Sequence, residues 1–278
     1  MKEMDKAGID YAHVSLATPG PEAFPLQTGK KLAAEYNDAA ARLIKEHPDR
    51  FGAYMSLYPQ DPDWSVREID RAAKMGLFGW SCLSNMGGKR IDDPKYLPIF
   101  RRLEELDMPV YLHPTFTQWD EFREFSYCIN GPALGFEVDV RLTFMRMLYR
   151  GLFDRFPKLK IILGHDGEGF SFCIDRIDTA YRQGYAYSMP GGEPIRHEPS
   201  YYVKHNVWMT TSGNFLPEAL RCTLDVMPKD RVMAATDFPY EDYVKSIDLI
   251  AENPGLSEEE KIACLSGNAK KLGFGPKK

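Results

Sequence analysis

The chain has 278 residues, 44% hydrophobic and 27% charged, enough for one sizeable core and ordinary for a soluble globular protein. A formal net charge of -5 gives no reason to expect nucleic acid or an anionic membrane as partner. No apolar run reaches the length of a membrane span, and the charged start Met1-Lys2-Glu3-Met4-Asp5-Lys6 lacks the apolar core of a signal peptide. The five cysteines (Cys82, Cys128, Cys173, Cys222 and Cys264) include no C-x-x-C pair, which argues against a disulfide framework or a thiolate zinc site and for a reducing, cytoplasmic setting.

In chain order, Met1 to Ala7 reads as the tail of a helix closed by Gly8. Ile9 to Ala17 reads as a strand, and Thr18-Pro19-Gly20-Pro21 as a loop. Gly29 to Glu46 carries apolar residues at helical spacing. Phe51 to Tyr58 is a second strand, followed by a helix from Asp63, taken as its N-cap, to Met75. Gly76–Leu83 (strand), Asp93–Leu106 (helix), Pro109–Pro114 (strand) and Glu137–Phe156 (long helix) follow. Then come Leu159–His165 (strand), Gly169–Tyr181 (helix), Asn206–Asn214 (strand), Leu216–Met227 (helix) and Arg231–Pro239 (strand). Helices near Tyr243–Ala251 and Ser257–Gly267 close the chain, and Gly184 to Tyr202 is a long excursion between elements.

Strand and helix alternate without a break, and the strands are apolar runs, as expected when both faces of a parallel sheet are covered. His113, His165, Ser212, Asn214 and Asp237 all fall at C-terminal strand ends. A (β/α)8 barrel assembles its active site at that mouth. No G-x-G-x-x-G and no G-x-x-x-x-G-K occurs, which weighs against a nucleotide-binding open sheet. Seven strands are legible, so the expectation is a single barrel domain over residues 1–278 with its first strand missing.

Three short motifs carry the chemistry. Leu159-Lys160-Ile161-Ile162-Leu163-Gly164-His165-Asp166-Gly167-Glu168-Gly169 drives an apolar strand into a glycine-rich turn bearing a histidine and a carboxylate. His113 follows Val110-Tyr111-Leu112 and precedes Pro114. Asp237 stands before Phe238-Pro239. Read singly, each is also what a strand cap looks like. Converging imidazole and carboxylate groups from different strands are what a metal in such a mouth needs.

Through these motifs, the sequence from Asp5 onward resembles the amidohydrolase-related family of metal-dependent decarboxylases, in particular those acting on γ-resorcylate and 2,3-dihydroxybenzoate. The matching stretches include Tyr111-Leu112-His113-Pro114, Gly164-His165 with Gly167-Glu168-Gly169, Arg176-Ile177-Asp178, Thr210-Thr211-Ser212-Gly213-Asn214 and Thr236-Asp237-Phe238-Pro239. The resemblance implies one divalent metal, Zn2+ or Mn2+, with His113 and Asp237 as ligands. It further implies Asp237 as proton donor, His165 supported by Glu168 as the second-sphere catalytic pair, and Arg176 close to that pair. The family's first strand carries Glu-x-His or His-x-His, and nothing here matches it; His13 is the nearest imidazole.

The implied activity is non-oxidative decarboxylation of a hydroxylated aromatic acid. Two alternatives stay open: hydrolysis of a lactone, ester or amide in the same mouth, and an inactive fragment lacking two metal ligands. Phe116, Trp119, Phe122, Phe125, Tyr127 and Phe136 follow His113 and suit a flat ring or the packing of an ordered loop. His47, His197 and His205 read as surface or capping groups. The expected partners are a small aromatic acid and further copies of the chain, in a dimer or tetramer. A missing strand predicts a seam beside His13, open or covered by another chain.

Overall fold

The computed structural model describes residues 1–184 and 195–276. Among the described residues, short apolar runs form seven strands: β1 (Ala12–Val14), β2 (Phe51–Ala53), β3 (Trp80–Leu83), β4 (Val110–His113), β5 (Ile161–Leu163), β6 (Val207–Thr210) and β7 (Val232–Met233). All pairs are parallel and follow chain order, β1-β2 in one sheet and β3-β4-β5-β6-β7 in the other. A bridge between Met55 and Trp80 joins the two sheets. The wall therefore runs from β1 to β7, with those two strands as its edges among the described residues.

Besides single helical turns at Asp120–Arg123, Tyr127–Asn130, Leu152–Arg155 and His165–Glu168, the helices among the described residues are α1 (Lys2–Lys6), α2 (Leu26–Glu46), α3 (Pro62–Lys74), α4 (Leu97–Glu105), α5 (Gly135–Tyr149) and α6 (Phe170–Arg182). They continue with α7 (Pro199–Asn206), α8 (Pro217–Val226), α9 (Tyr243–Ala251), α10 (Glu258–Ile262) and α11 (Asn268–Leu272). Alternation along the strands sorts the apolar side chains into two sets. Tyr54, Ile162, Trp208, Met233 and Leu272 pack together inside the wall. Val110, Leu112, Ile161, Leu163 and Val207 belong to a larger core shared with α4 and α5 through Phe100, Leu103, Val140 and Phe144. This is the two-layered packing of a barrel ringed by helices.

The strands are shorter than the apolar runs suggest; Ile9–Ala17 contributes only Ala12–Val14. The N-cap of α3 is Asp61, whose side chain accepts the Trp64 N–H, and not Asp63. Pro62 takes the first helical position, where its missing N–H costs nothing. The helix expected over Glu137–Phe156 breaks after Tyr149 because Gly151 adopts φ 70, and a separate turn covers Leu152–Arg155. Of the long excursion, residues 185–194 lie outside the described residues. Its far end is anchored, since the Tyr181 hydroxyl donates to the Ile195 carbonyl and that of Tyr202 to Asp154.

His13 does not reach the C-terminal mouth. Its Nε2 hydrogen-bonds the Phe78 carbonyl at 2.9 Å, and its ring packs on Tyr54 and Phe274. Phe78 precedes β3, so this imidazole serves the lower end of the wall. The outer sides of β1 and β7 meet no further strand among the described residues. Tyr243 at the start of α9 donates its hydroxyl to Glu3 of α1. No helix among the described residues is long and apolar enough to cross a membrane.

Candidate active site

His113 is the last residue of β4. Its Nδ1 lies 2.8 Å from the Pro114 carbonyl, which can only accept, so Nδ1 carries the hydrogen and Nε2 presents a lone pair. Burial pushes its pKa down to about 4; the Pro114 bond opposes this and the nearby His165 adds to it. The imidazole is therefore neutral at physiological pH, the form that binds metals.

β5 ends at Gly164 and the chain turns at once. His165, Asp166, Gly167, Glu168 and Gly169 have φ of 52, 54, 72, 52 and 74 degrees. Such a left-handed run by three non-glycine residues is costly and is held by its surroundings. It folds Glu168 back beneath His165, whose Nδ1 donates to Glu168 Oε1 at 2.6 Å. Burial alone would depress the imidazole pKa. Attraction and the hydrogen bond from Glu168, with Asp237 and Asp166 beyond, overcome it and push the value up to about 9. His165 is thus an imidazolium paired with a carboxylate at neutral pH.

Asp237 lies past the end of β7, again with a left-handed backbone, φ 50. Burial raises its pKa, and Glu241 and Glu168 add to this against the pull of His165. The charges of His113, His165 and Asp237 act on one another in sequence, so three residues from three strand ends share one mouth. The β6 loop closes a fourth side. A side-chain carbon at Gly213 would lie 2.6 Å from His165 Cδ2, so the backbone there packs directly on the imidazole. Ser212 is buried beside it, whereas Asn214 accepts the Leu216 N–H and caps its own loop.

Arg176 is not brought to this group. It is exposed on α6, on a different face from the buried Phe170, Ser171 and Asp178. No hydrogen bond or ion pair joins it to His165, Glu168 or Asp237 among the described residues. Helical rotation decides this: the motif fixes the helix, not the face on which the arginine falls.

Several residues were not legible in the motifs. Asp166 is buried; neither carboxylate oxygen has a hydrogen-bond partner among the described residues, and burial lifts its pKa to about 7 against His165. Asp139 of α5 is wholly buried and receives Ser84 Oγ at 2.5 Å, Asn85 Nδ2 at 2.7 Å and Arg90 Nη2 at 2.6 Å. Ser84 in turn accepts the Thr115 N–H and donates its own N–H to the His113 carbonyl. That network fixes the strand end carrying His113. A buried Asp on a helix was the available signal, but only the fold shows what it faces.

Rings gather after His113. Phe116 lies 5.2 Å from Phe136 and 6.2 Å from Tyr127, and Trp119 lies 5.8 Å from Phe122. Phe125 and Tyr127 stay largely exposed. The His113 nitrogen and the Asp237 carboxylate are donors of the type divalent ions take. Among the described residues no group of three His, Cys, Asp or Glu side chains is placed to hold an ion, so the pair does not make a complete protein site.

Comparison with known proteins bears on the same scaffold. The family model described as Amidohydrolase matches residues 1–272. The γ-resorcylate decarboxylase of Polaromonas sp. strain JS666 is 31% identical over 279 residues, 97% of this chain and 84% of that protein. The crystal structure of 5-carboxyvanillate decarboxylase from Sphingomonas paucimobilis superposes with a TM-score of 0.91 at 34% identity, covering 98% of this chain and 81% of that one. That of dihydroxybenzoic acid decarboxylase from Polaromonas sp. JS666, with bound manganese and the inhibitor 2-nitroresorcinol, gives 0.88 at 30%, covering 98% and 83%. Matched along almost its entire length and sharing the fold of these enzymes, the chain belongs to the amidohydrolase family.

Proposed function

We propose that this chain is a carboxy-lyase that removes CO2 from a hydroxylated aromatic acid without an oxidant. The observation that carries the reading is the meeting, at one mouth, of Asp237, whose carboxyl burial shifts upward, with the His165–Glu168 pair. It is supported by the chain's likeness to decarboxylases of such acids.

An electron-rich ring gives up its carboxylate once the carbon bearing it has gained a proton. Asp237, pushed toward its acid form by burial, is the proton donor. The carbon–carbon bond then breaks, its electron pair restores the aromatic ring, CO2 leaves, and the Asp237 carboxylate regains a proton from water. The His165 imidazolium binds the anionic substrate and steadies negative charge as it shifts, while Glu168 fixes the ring's orientation. A divalent ion, if bound, would take His113 and Asp237 as donors and would supply Lewis acidity. The manganese in a similar enzyme favours Mn2+ over Zn2+. The rings after His113 suit a flat aromatic substrate.

The test is incubation of the manganese-supplemented chain with hydroxybenzoates in D2O. The expected result is CO2 with an equal amount of phenol carrying one deuterium where the carboxylate stood. Hydrolysis of lactones with no CO2 from any acid in the panel would overturn the reading.

A further inference from the structure

Away from the mouth, a cavity of about 420 Å3 opens between the β3–α4 connection and the C-terminal end of α5. Its walls are Gly88, Lys89, Arg90, Asp92, Asp93, Lys95, Tyr96, Arg146 and Arg150. Five of these side chains are cations and two are carboxylates, on a protein whose formal net charge is -5. None of His113, His165 and Asp237 borders it. We propose that this cavity binds a small molecule bearing a compact oxyanion, a phosphate ester or a polycarboxylate.

Internal pairing does not consume the positive charge. Asp92, its side chain 2% exposed, forms ion pairs through Oδ2 with both Arg146 Nη2 at 2.9 Å and Arg150 Nε at 2.7 Å, neither with hydrogen-bond geometry. One carboxylate thus serves two guanidinium groups, and these remain 41% and 42% exposed. Their other N–H groups are free to meet an anion with the forked geometry that phosphate and carboxylate share. Arg90 is matched by Asp139 behind the wall. Lys89 and Lys95 have no carboxylate partner among the described residues; Lys95 Nζ instead lies 4.7 Å over the Tyr96 ring. Asp93 turns one oxygen to the Lys95 backbone N–H. The Tyr96 hydroxyl, Arg146 Nε and Asp92 Oδ2 are buried without hydrogen-bond partners among the described residues, so this wall carries polar groups that its own residues leave unmatched. The volume falls in the range of small-molecule pockets, roughly 300–1,000 Å3, and exceeds what a bare ion fills.

Isothermal titration of the full chain with inorganic phosphate, and separately with succinate, at fixed chloride tests this. The expected result is one saturable site with Kd below roughly 5 mM. Arg150→Gln should weaken it about tenfold, as loss of a charge-assisted contact does. The double variant Lys89→Gln/Lys95→Gln leaves the Asp92 pairs intact and guards against misfolding; it should weaken binding several-fold. Tighter binding of phosphate assigns the site to phosphate esters, and tighter binding of succinate to polycarboxylates. No saturable heat with either probe, or an affinity unchanged in the double variant, overturns the proposal.

Discussion

Glu22 lies in the short turn Pro21–Ala23 after β1, 7% exposed, with Oε2 lacking a hydrogen-bond partner among the described residues. Burial, opposed only by its own backbone N–H, pushes its carboxyl from 4.5 up to about 7. Between these values the folded chain keeps a proton that the unfolded chain has released. Stability therefore falls as pH rises from the lower value to the upper and stays reduced above it. Glu22→Gln should remove this dependence, raising stability at pH 8 by at most about 3 kcal/mol, the worth of such a shift. The gain should vanish near pH 4, as denaturant titrations at the two pH values would show; an equal gain at both would point to packing instead. His165 makes stability fall with pH in the same direction, in a higher window. Its raised pKa adds stability that is fully present below the ordinary imidazole value and lost as pH climbs through about 9. For His165→Ala the expected outcome is turnover reduced about 100-fold or more with manganese uptake unchanged by equilibrium dialysis. Lost uptake would reassign His165 as a ligand.

The turn from Gly164 to Gly169 and the loop after β6 meet at Gly213, which has φ +77 and no room for a side-chain carbon against His165. Gly213→Ala must shift the imidazole or the loop. The expected result is a kcat reduced about tenfold or more, as misplaced catalytic groups give, with the circular dichroism spectrum retained. Activity equal to wild type would show that the loop yields without disturbing His165. At this scale the sequence was informative about which strand end carries which group. His113, His165, Glu168 and Asp237 follow apolar runs directly, and a parallel strand delivers its last residues to the mouth. It was uninformative about rotation and burial. Arg176 lies on the correct helix and the wrong face. His13, one of only six histidines, looks available in the sequence, yet its strand directs it to the Phe78 carbonyl. Asp166 is indistinguishable from a solvated turn residue until the packing around it is known.

Across the whole molecule, the wall is strongest in its middle and weakest at its margins. β4 is paired on both sides, by β3 and β5, whereas β1 is paired only by β2 among the described residues. Hydrogen exchange should follow this order: amides of Ala12–Val14 should exchange well before those of Val110–Leu112. Equal, strong protection of both in a monomer would mean that the β1 edge is covered. A different consequence attaches to the left-handed residues His165, Asp166, Glu168 and Asp237. Each holds a conformation that costs a non-glycine residue of order 1 kcal/mol, and glycine would relieve it. A directed-evolution campaign scored on heat resistance alone would therefore be drawn toward these codons. Its winners would be sturdier proteins from which the chemistry had been selected away.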